Sequence, residues 1–225
     1  MFEIYLIIKR IIDFIFALVG LIILSPLFVI LVIAIKFDSK GPVLFKQKRV
    51  GIHITYFNIL KFRSMRIDTP KDTPTHMLEN PELWITKVGK FLRKTSLDEL
   101  PQIINILCGS MSIIGPRPAL WNQYDLIAER DKYGANDLKP GLTGWAQING
   151  RDELPIEVKA KLDGEYVSNI SFLVDVRCLF KTIVNVVKGD GVVEGGTGEL
   201  NKKLVNAKKI TDGTMVDKTF IRIKE

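Results

Sequence analysis

The chain reads as an α+β protein, mostly helical, with a membrane-inserted N-terminal segment, a β-hairpin and a helical domain. Three observations predict this. Residues 14–35 carry no charged side chain, a length that matches the hydrocarbon core of a bilayer. Two runs rich in β-branched and aromatic residues, 43–50 and 54–62, flank Gly51-Ile52-His53, which is hairpin spacing. Beyond them apolar residues recur at helical spacing, most clearly Leu97, Leu100, Ile103, Ile104 and Leu107. We divide the chain into a membrane segment 1–37, a domain 38–188 and a C-terminal tail 189–225.

The apolar run carries Ser25-Pro26 near its middle and is basic at both ends. Lys9 and Arg10 precede it; Lys36, Lys40, Lys46, Lys48 and Arg49 follow. Proline removes a helix hydrogen bond and kinks the axis. Lys/Arg-rich flanks favour the cytoplasmic side. A segment basic at both ends is satisfied if it enters the bilayer, turns at Ser25-Pro26 and returns to the same face. The Ser25 hydroxyl would then meet a carbonyl freed at the break. A single spanning helix stays open as the alternative, because spanning helices tolerate proline.

Gly41-Pro42 ends this element. In the expected hairpin, Lys46, Lys48 and Arg49 meet either lipid headgroups or water. At the end of the second strand Lys61 and Arg63 alternate with apolar residues, so both face one side, where two cations meet an anion. Residues 68–80 read as a polar, proline-punctuated loop, and 81–94 as a helix weakened by Gly89.

Ser96 followed by Glu99 is a capping-box pattern, and Pro101 suits a first turn. A helix is therefore expected to begin near Leu97, with Asp98 and Glu99 side by side in its first turn. Acidic pairs at helix starts are ordinary by themselves. Here Arg93-Lys94 stand just before the pair, and Gly115-Pro116-Arg117-Pro118 fixes an arginine in a rigid turn after it. Carboxylates, a helix start and fixed arginines suit the handling of a phosphoryl group, with a divalent metal to offset like charges.

Residues 119–133 read as an amphipathic helix packed through Leu120, Tyr124, Leu126 and Ile127. Residues 140–151 form a glycine-rich loop without the nucleotide P-loop pattern. Its glycines admit a ligand close to the backbone, and Arg151 is a candidate phosphate contact. Trp145 stacks on a base, lies at the membrane interface or packs in the core. Helices are expected over 153–169 and 172–188, the second mixing apolar and basic residues as a helix on a membrane surface or on the core does. The tail from 189, interrupted by glycines, is expected to be ordered in part at most.

The 225 residues suffice for one sizeable domain, and the net charge of +7 suits nucleic acid, an anionic membrane or phosphorylated substrates. The basic residues are spread among apolar strands and helices without a nucleic-acid motif, which argues against nucleic acid. Cys108 and Cys178 sit in apolar runs without Cys-x-x-Cys and read as buried thiols in a reducing compartment. His53 and His76 have no metal-ligand spacing and read as surface or turn residues. There is no Asp-x-Asp, which disfavours the common metal-dependent nucleotide-sugar enzymes, and one apolar segment argues against a many-helix transferase.

The run from Ser96 to Gln102, Gly115-Pro116-Arg117-Pro118, Lys61-Phe62-Arg63-Ser64-Met65 and Pro140-Gly141-Leu142-Thr143-Gly144-Trp145-Ala146-Gln147-Ile148-Asn149-Gly150-Arg151 together resemble the bacterial sugar transferases. These are monotopic polyprenyl-phosphate phosphoglycosyl transferases that initiate glycan assembly on a lipid carrier. The resemblance runs from about residue 9 to about residue 189. It implies the re-entrant helix-break-helix at Ser25-Pro26 and a catalytic domain on the cytoplasmic face of the inner membrane. The implied reaction moves sugar-1-phosphate from a UDP-sugar to polyprenyl (undecaprenyl) phosphate and releases UMP. By resemblance Asp98 is the nucleophile, and Asp98 and Glu99 hold Mg²⁺. Arg117, Arg93, Lys61, Arg63 and Arg151 contact phosphate. A carboxylate nucleophile splits a difficult transfer between anions into two steps. Residues 169–175 and the tail look most like small family members that handle N-acetylated deoxyamino sugars. The resemblance also implies membrane lipids and downstream glycosyltransferases as partners in capsule, exopolysaccharide or lipopolysaccharide assembly. The competing reading is a non-catalytic, membrane-anchored interaction protein of a glycan-assembly complex, because a fold alone does not guarantee function.

Overall fold

The computed structural model describes residues 2–70, 80–150 and 154–188. In chain order it contains α1 (Phe2–Asp38), β1 (Leu44–Val50), β2 (Tyr56–Phe62), α2 (Lys87–Lys94), α3 (Gln102–Leu107), β3 (Ser112–Ile114), α4 (Tyr124–Asp131), β4 (Gly141–Thr143), α5 (Trp145–Ile148), α6 (Ile156–Asn169) and α7 (Phe172–Lys188). The mostly helical reading and the hairpin hold. β1 and β2 pair antiparallel, Leu44 opposite Phe62 and Val50 opposite Tyr56. Arg151, His76 and the tail from 189 lie outside the described residues.

α1 is long and apolar enough to cross a membrane. Its 37 residues extend about 55 Å at 1.5 Å per residue, against roughly 30 Å of hydrocarbon. The helix is continuous through Pro26, so the expected break is not an interruption of the helix. What changes there is one hydrogen bond. Pro26 has no N–H for the carbonyl of Ile22, and the Ser25 hydroxyl donates to that carbonyl instead, at 2.8 Å.

One stripe of α1 packs on the domain. Ala17, Leu21 and Leu24 meet Ile103, Ile106 and Met111. Leu27, Phe28, Leu31 and Ile35 meet Phe62 and Leu92. The remaining faces leave Ile7, Ile11, Ile15, Ile22, Ile30 and Ile33 exposed. Both ends of the helix are fastened by polar groups. Lys9 donates to Asp175 at 2.6 Å, and Asp175 also accepts from Tyr5 and Tyr166. Asp13 accepts from the Ser112 hydroxyl and the Ile113 N–H. Arg10 donates to the carbonyls of Ile106 and Leu107 at the end of α3, where a helix terminus leaves carbonyls outside the helical hydrogen-bond ladder. At the other end Asp38 accepts from the Val88 N–H in the first turn of α2. Arg63 donates to the Ser39 and Lys40 carbonyls and the Ser39 hydroxyl.

Four expected elements are shorter than the sequence suggested. The hairpin turn extends through Thr55, because His53 and Ile54 take positive φ and β2 begins only at Tyr56. Residues 81–94 resolve into a 3-10 turn at Pro81–Leu83 and then α2, capped by the Thr86 hydroxyl, which accepts from the Gly89 N–H. Residues 119–123 are not helical. The Val50 N–H donates to the Ala119 carbonyl and Leu120 bridges to Arg49, so this stretch follows β1, and Tyr124 is exposed rather than packed. The last helix pair is shortened only at its start, to Ile156. Cys178 is buried as expected, its thiol pushed up to about 11 by burial and the nearby Asp175 charge, whereas Cys108 is exposed.

β3 and β4 form a short parallel pair, so the glycine-rich stretch 140–151 begins as strand and not as loop. Its glycines bring backbone to backbone: a Cβ on Gly141 would lie 2.1 Å from the Gly115 nitrogen. Close approach here serves the Gly115 turn and not a ligand.

Two measurements check this packing. Asp175→Ala leaves Lys9 buried without its carboxylate, an arrangement that costs about 3–5 kcal/mol; thermal unfolding in detergent should show that loss, with most of it restored by Lys9→Met in the same chain. A Cβ on Gly89 would stand 1.9 Å from the Ser64 carbonyl oxygen, a backbone atom that cannot swing aside. Gly89→Ala should therefore destabilise by about 1–3 kcal/mol, despite alanine's better helix propensity, as read from a urea or thermal midpoint.

Candidate active site

The site begins where α2 ends. Thr95 closes α2, its hydroxyl donating to the Phe91 carbonyl, and Ser96 turns the chain with φ 56. The capping box does not form: Ser96 makes no side-chain cap, and the Glu99 carboxylate is engaged elsewhere. Leu97–Glu99 is a 3-10 turn, and α3 starts at Gln102. Pro101 explains the offset. It has no N–H for the Leu97 carbonyl, which accepts from the Leu100 N–H at 3.3 Å instead.

Asn105 then fixes α3 against the open edge of β2. Its side chain accepts from the Leu60 N–H and donates to the Asn58 carbonyl, both at 2.9 Å. This register sets Lys61 of β2 beside the carboxylates. Lys61 donates to Glu99 Oε1 at 2.7 Å. Arg117 reaches the same carboxylate with its fork, Nη2 to Oε1 at 2.8 Å and Nη1 to Oε2 at 3.4 Å. Burial alone would raise the Glu99 carboxyl, but the Arg117 and Lys61 charges and hydrogen bonds outweigh it and hold Glu99 well below the usual range.

Asp98 stands next to Glu99 in a different environment. It is 8% exposed, and among the described residues no group donates a hydrogen bond to it. Burial pushes its carboxyl up and Glu99 adds to the rise; Lys61, Arg93 and Arg117 pull it back only in part. Arg93, in the last turn of α2, donates to the Met65 sulfur at 3.6 Å.

The turn that carries Arg117 is held by four donors. Successive carbonyls of Pro116, Arg117, Pro118 and Ala119 accept from the Gly141 N–H, Arg130 Nη1, Arg49 Nη1 and the Val50 N–H, at 2.8–3.0 Å. Proline at 116 and 118 removes two N–H donors that this enclosed turn would otherwise have to satisfy.

Of the expected site residues, Asp98, Glu99, Lys61, Arg93 and Arg117 come together. Arg63 does not join them: it is 5% exposed and its guanidinium clasps the chain just after α1. The two cations of the β2 end thus serve different partners. Trp145 takes the core reading, packed with Ile114, Leu138 and Tyr166, and its indole N–H donates to Glu165. Asn105, Arg49, Arg130 and Asp163 were not foreseen. For Asn105 a signal existed: it is a lone amide inside the apolar run Ile103-Ile104-Asn105-Ile106-Leu107, and such a residue needs hydrogen-bond partners when buried.

The donor set can be tested against Mg²⁺. This ion is held by one or two carboxylates together with substrate phosphates. Among the described residues there is no group of three or more metal-ligating side chains. Asp98 fits as one such ligand. Glu99 fits only if it exchanges Lys61 or Arg117 for the metal, since those cations occupy both of its oxygens.

Comparison with known proteins gives the family. The family described as bacterial sugar transferase matches residues 4–189. The uncharacterized sugar transferase EpsL of Bacillus subtilis (strain 168) is 38% identical over 187 residues, covering 83% of this chain and 91% of its own. The UDP-glucose:undecaprenyl-phosphate glucose-1-phosphate transferase of Escherichia coli (strain K12) is 41% identical over 183 residues, 78% of this chain but 39% of its own. The UDP-N-acetylgalactosamine-undecaprenyl-phosphate N-acetylgalactosaminephosphotransferase of Aeromonas hydrophila is 37% identical over 194 residues, 84% of this chain and 45% of its own. The chain thus spans less than half the length of the latter two relatives. With a carboxylate pair set among lysine and arginine side chains, and with this match over most of its length, the chain belongs to the bacterial sugar transferase family.

Proposed function

We propose that the chain is a phosphoglycosyl transferase that moves sugar-1-phosphate from a UDP-sugar to polyprenyl phosphate and releases UMP. One observation carries the mechanism: two adjacent carboxylates have opposite environments. Glu99 is locked by Lys61 and Arg117, while the nearly buried Asp98 accepts no hydrogen bond among the described residues. Carboxylates whose environments are driven apart take different roles. Asp98 is the nucleophile, and Glu99 holds the two cations in place.

In the first step an Asp98 carboxylate oxygen attacks the sugar-bearing phosphorus of the UDP-sugar. The bond from that phosphorus to the bridging oxygen breaks, and UMP leaves with the electron pair. In the second step a phosphate oxygen of the polyprenyl carrier attacks the same phosphorus and displaces Asp98. Arg117, whose side chain is 29% exposed, and Arg93 face the phosphates, with Lys61 behind them. Arginine suits bidentate phosphate recognition. Mg²⁺, held by Asp98 and the substrate diphosphate, would offset charge on the phosphate oxygens. Arg151 remains a proposed phosphate contact, and Arg63 supports the site from the α1 junction.

The membrane topology we propose is monotopic, with the catalytic domain on the cytoplasmic face. Lys9, Arg10 and Asp13 at one end of α1 and Asp38 at the other bind the same domain. A helix that crossed the bilayer would separate those ends by the membrane. The stretch 169–175, which resembles family members handling N-acetylated deoxyamino sugars, has its one carboxylate, Asp175, committed to Lys9 and two tyrosines. It therefore bears on docking of α1 and leaves donor choice to other residues. The product is the starting lipid of a surface glycan, which downstream glycosyltransferases extend.

The first test is UMP release by detergent-solubilised protein with Mg²⁺, undecaprenyl phosphate and a panel of UDP-sugars that includes glucose, N-acetylgalactosamine and N-acetylated deoxyamino donors. Asp98→Asn should keep the fold and membrane association and lose turnover by at least about 10³-fold, and intact mass should find a phosphosugar adduct on the wild-type chain but not on the variant. Turnover by Asp98→Asn would reject Asp98 as nucleophile.

The pH dependence has a definite sign. Asp98 must be deprotonated to attack, and its carboxyl is raised, so kcat/KM should fall on the acid side at a pH above the ordinary aspartate range. Glu99→Gln removes a negative neighbour and frees Lys61 and Arg117 to stabilise the Asp98 carboxylate. The acid limb of the profile should then move to lower pH, whatever the loss in absolute rate.

A further inference from the structure

Arg130 and Asp163 form an ion pair in the interior, 4% and 1% exposed. Arg130 Nε and Nη2 both reach Asp163 Oδ2, at 2.8 and 2.7 Å. Such a pair is a weak source of stability, because desolvation of both charges offsets their attraction. Its remaining geometry points elsewhere. Arg130 Nη1 donates to the Arg117 carbonyl at 2.8 Å, and the Arg117 side chain carries the fork that meets Glu99. Asp163 on α6 therefore aims Arg130 on α4, and Arg130 holds the backbone from which Arg117 projects.

We infer that Arg130, oriented by Asp163, is a positioning residue that acts through Arg117 to fix its guanidinium in the phosphate site. This rests on the reading of Arg117 as a phosphate contact. The physical basis is that misplacement of a positioned group by about 1 Å costs on the order of 10²-fold in rate. A backbone carbonyl with a charged, immobile donor moves less than one left to solvent. A buried arginine can supply that donor only if a second buried group neutralises it. The other carbonyls of the turn are held too, but three of the four donors come from β1 and β4; among the described residues Arg130 is the donor that ties these carbonyls to the helical layer of α4 and α6, where Ala119 makes only apolar contact with Leu126 and Ile127.

The test uses the full chain with Arg130→Met and Asp163→Leu together, so that no buried charge is orphaned and the fold is kept. The thermal midpoint should stay within a few degrees of wild type. Amide exchange should rise about tenfold at Val50 and Gly141, whose N–H groups donate to the Ala119 and Pro116 carbonyls of this turn, and nowhere in α4 or α6. UMP release should fall roughly 10- to 100-fold in kcat with KM for the UDP-sugar within about threefold. In a double-mutant cycle Arg117→Lys should cost much less in this background than in wild type, because the two changes act on one element. Costs that simply add, or exchange at Val50 and Gly141 that does not change, overturn the inference. If the paired variant unfolds, Arg130→Lys, which keeps a cation against Asp163 but loses the planar fork, must show the same local rise in exchange or the inference fails. A wild-type chain that releases no UMP with any donor rejects the proposed function, and the exchange arm still decides the positioning role.

Discussion

The Glu99 carboxylate, shared by Lys61 at 2.7 Å and Arg117 at 2.8 Å, is the interaction on which the site depends. It joins the charged groups of three segments: the end of β2, the 3-10 turn before α3 and the proline-bounded turn after β3. Each contact has a gross attraction of about 6 kcal/mol at an effective dielectric of 20, and desolvation of each ion costs several kcal/mol. The two nearly offset. What remains is geometry: two cations held at fixed positions, one neutralised carboxylate, and beside it a second carboxylate that none of these groups has claimed. The positive excess around Asp98, with Arg93 added, is what an anionic substrate would meet.

That geometry is maintained by polar groups arranged behind it. Asn105 fixes the level of α3 on β2, so that Lys61 and Glu99 face each other. The carbonyls from Pro116 to Ala119 are all occupied, so the Arg117 turn has no soft direction. In both cases a buried polar side chain does what an apolar one of equal size cannot: it selects one register or one orientation among several that pack equally well.

The N-terminal helix obeys a second constraint. Its exposed faces suit hydrocarbon, but its docked stripe belongs to the same core clusters as Ile103, Ile106, Phe62 and Leu92, on which Leu97 and Leu100 pack. The turn that carries Asp98 and Glu99 is therefore built directly on α1. Ser25 and Pro26 show how little the backbone must give: one missing N–H, and one hydroxyl that answers the carbonyl left open.

Much of this was legible from residue order. The charge-free run, the hairpin flanking Gly51, the helices near 156–169 and 172–188 and the cluster of Asp98, Glu99, Arg93 and Arg117 follow from periodicity, charge and turn chemistry, which are local. The capping box at Ser96 and the start of a helix at Leu97 were misread because Pro101 acts one turn later than the residues it governs. Arg63 shows the limit most plainly. It lies two residues from Lys61 with the same charge and the same alternation, yet Lys61 meets Glu99 and Arg63 meets the carbonyls after α1. The sequence by itself determined which groups are charged, which segment is apolar enough to enter a bilayer and where most turns fall. Only the tertiary structure decided which cation reaches which anion, that Asp98 accepts no hydrogen bond among the described residues, and that Arg130 and Asp163 stand behind Arg117, because those pairings form between residues 13 to 38 positions apart whose meeting depends on how the elements pack.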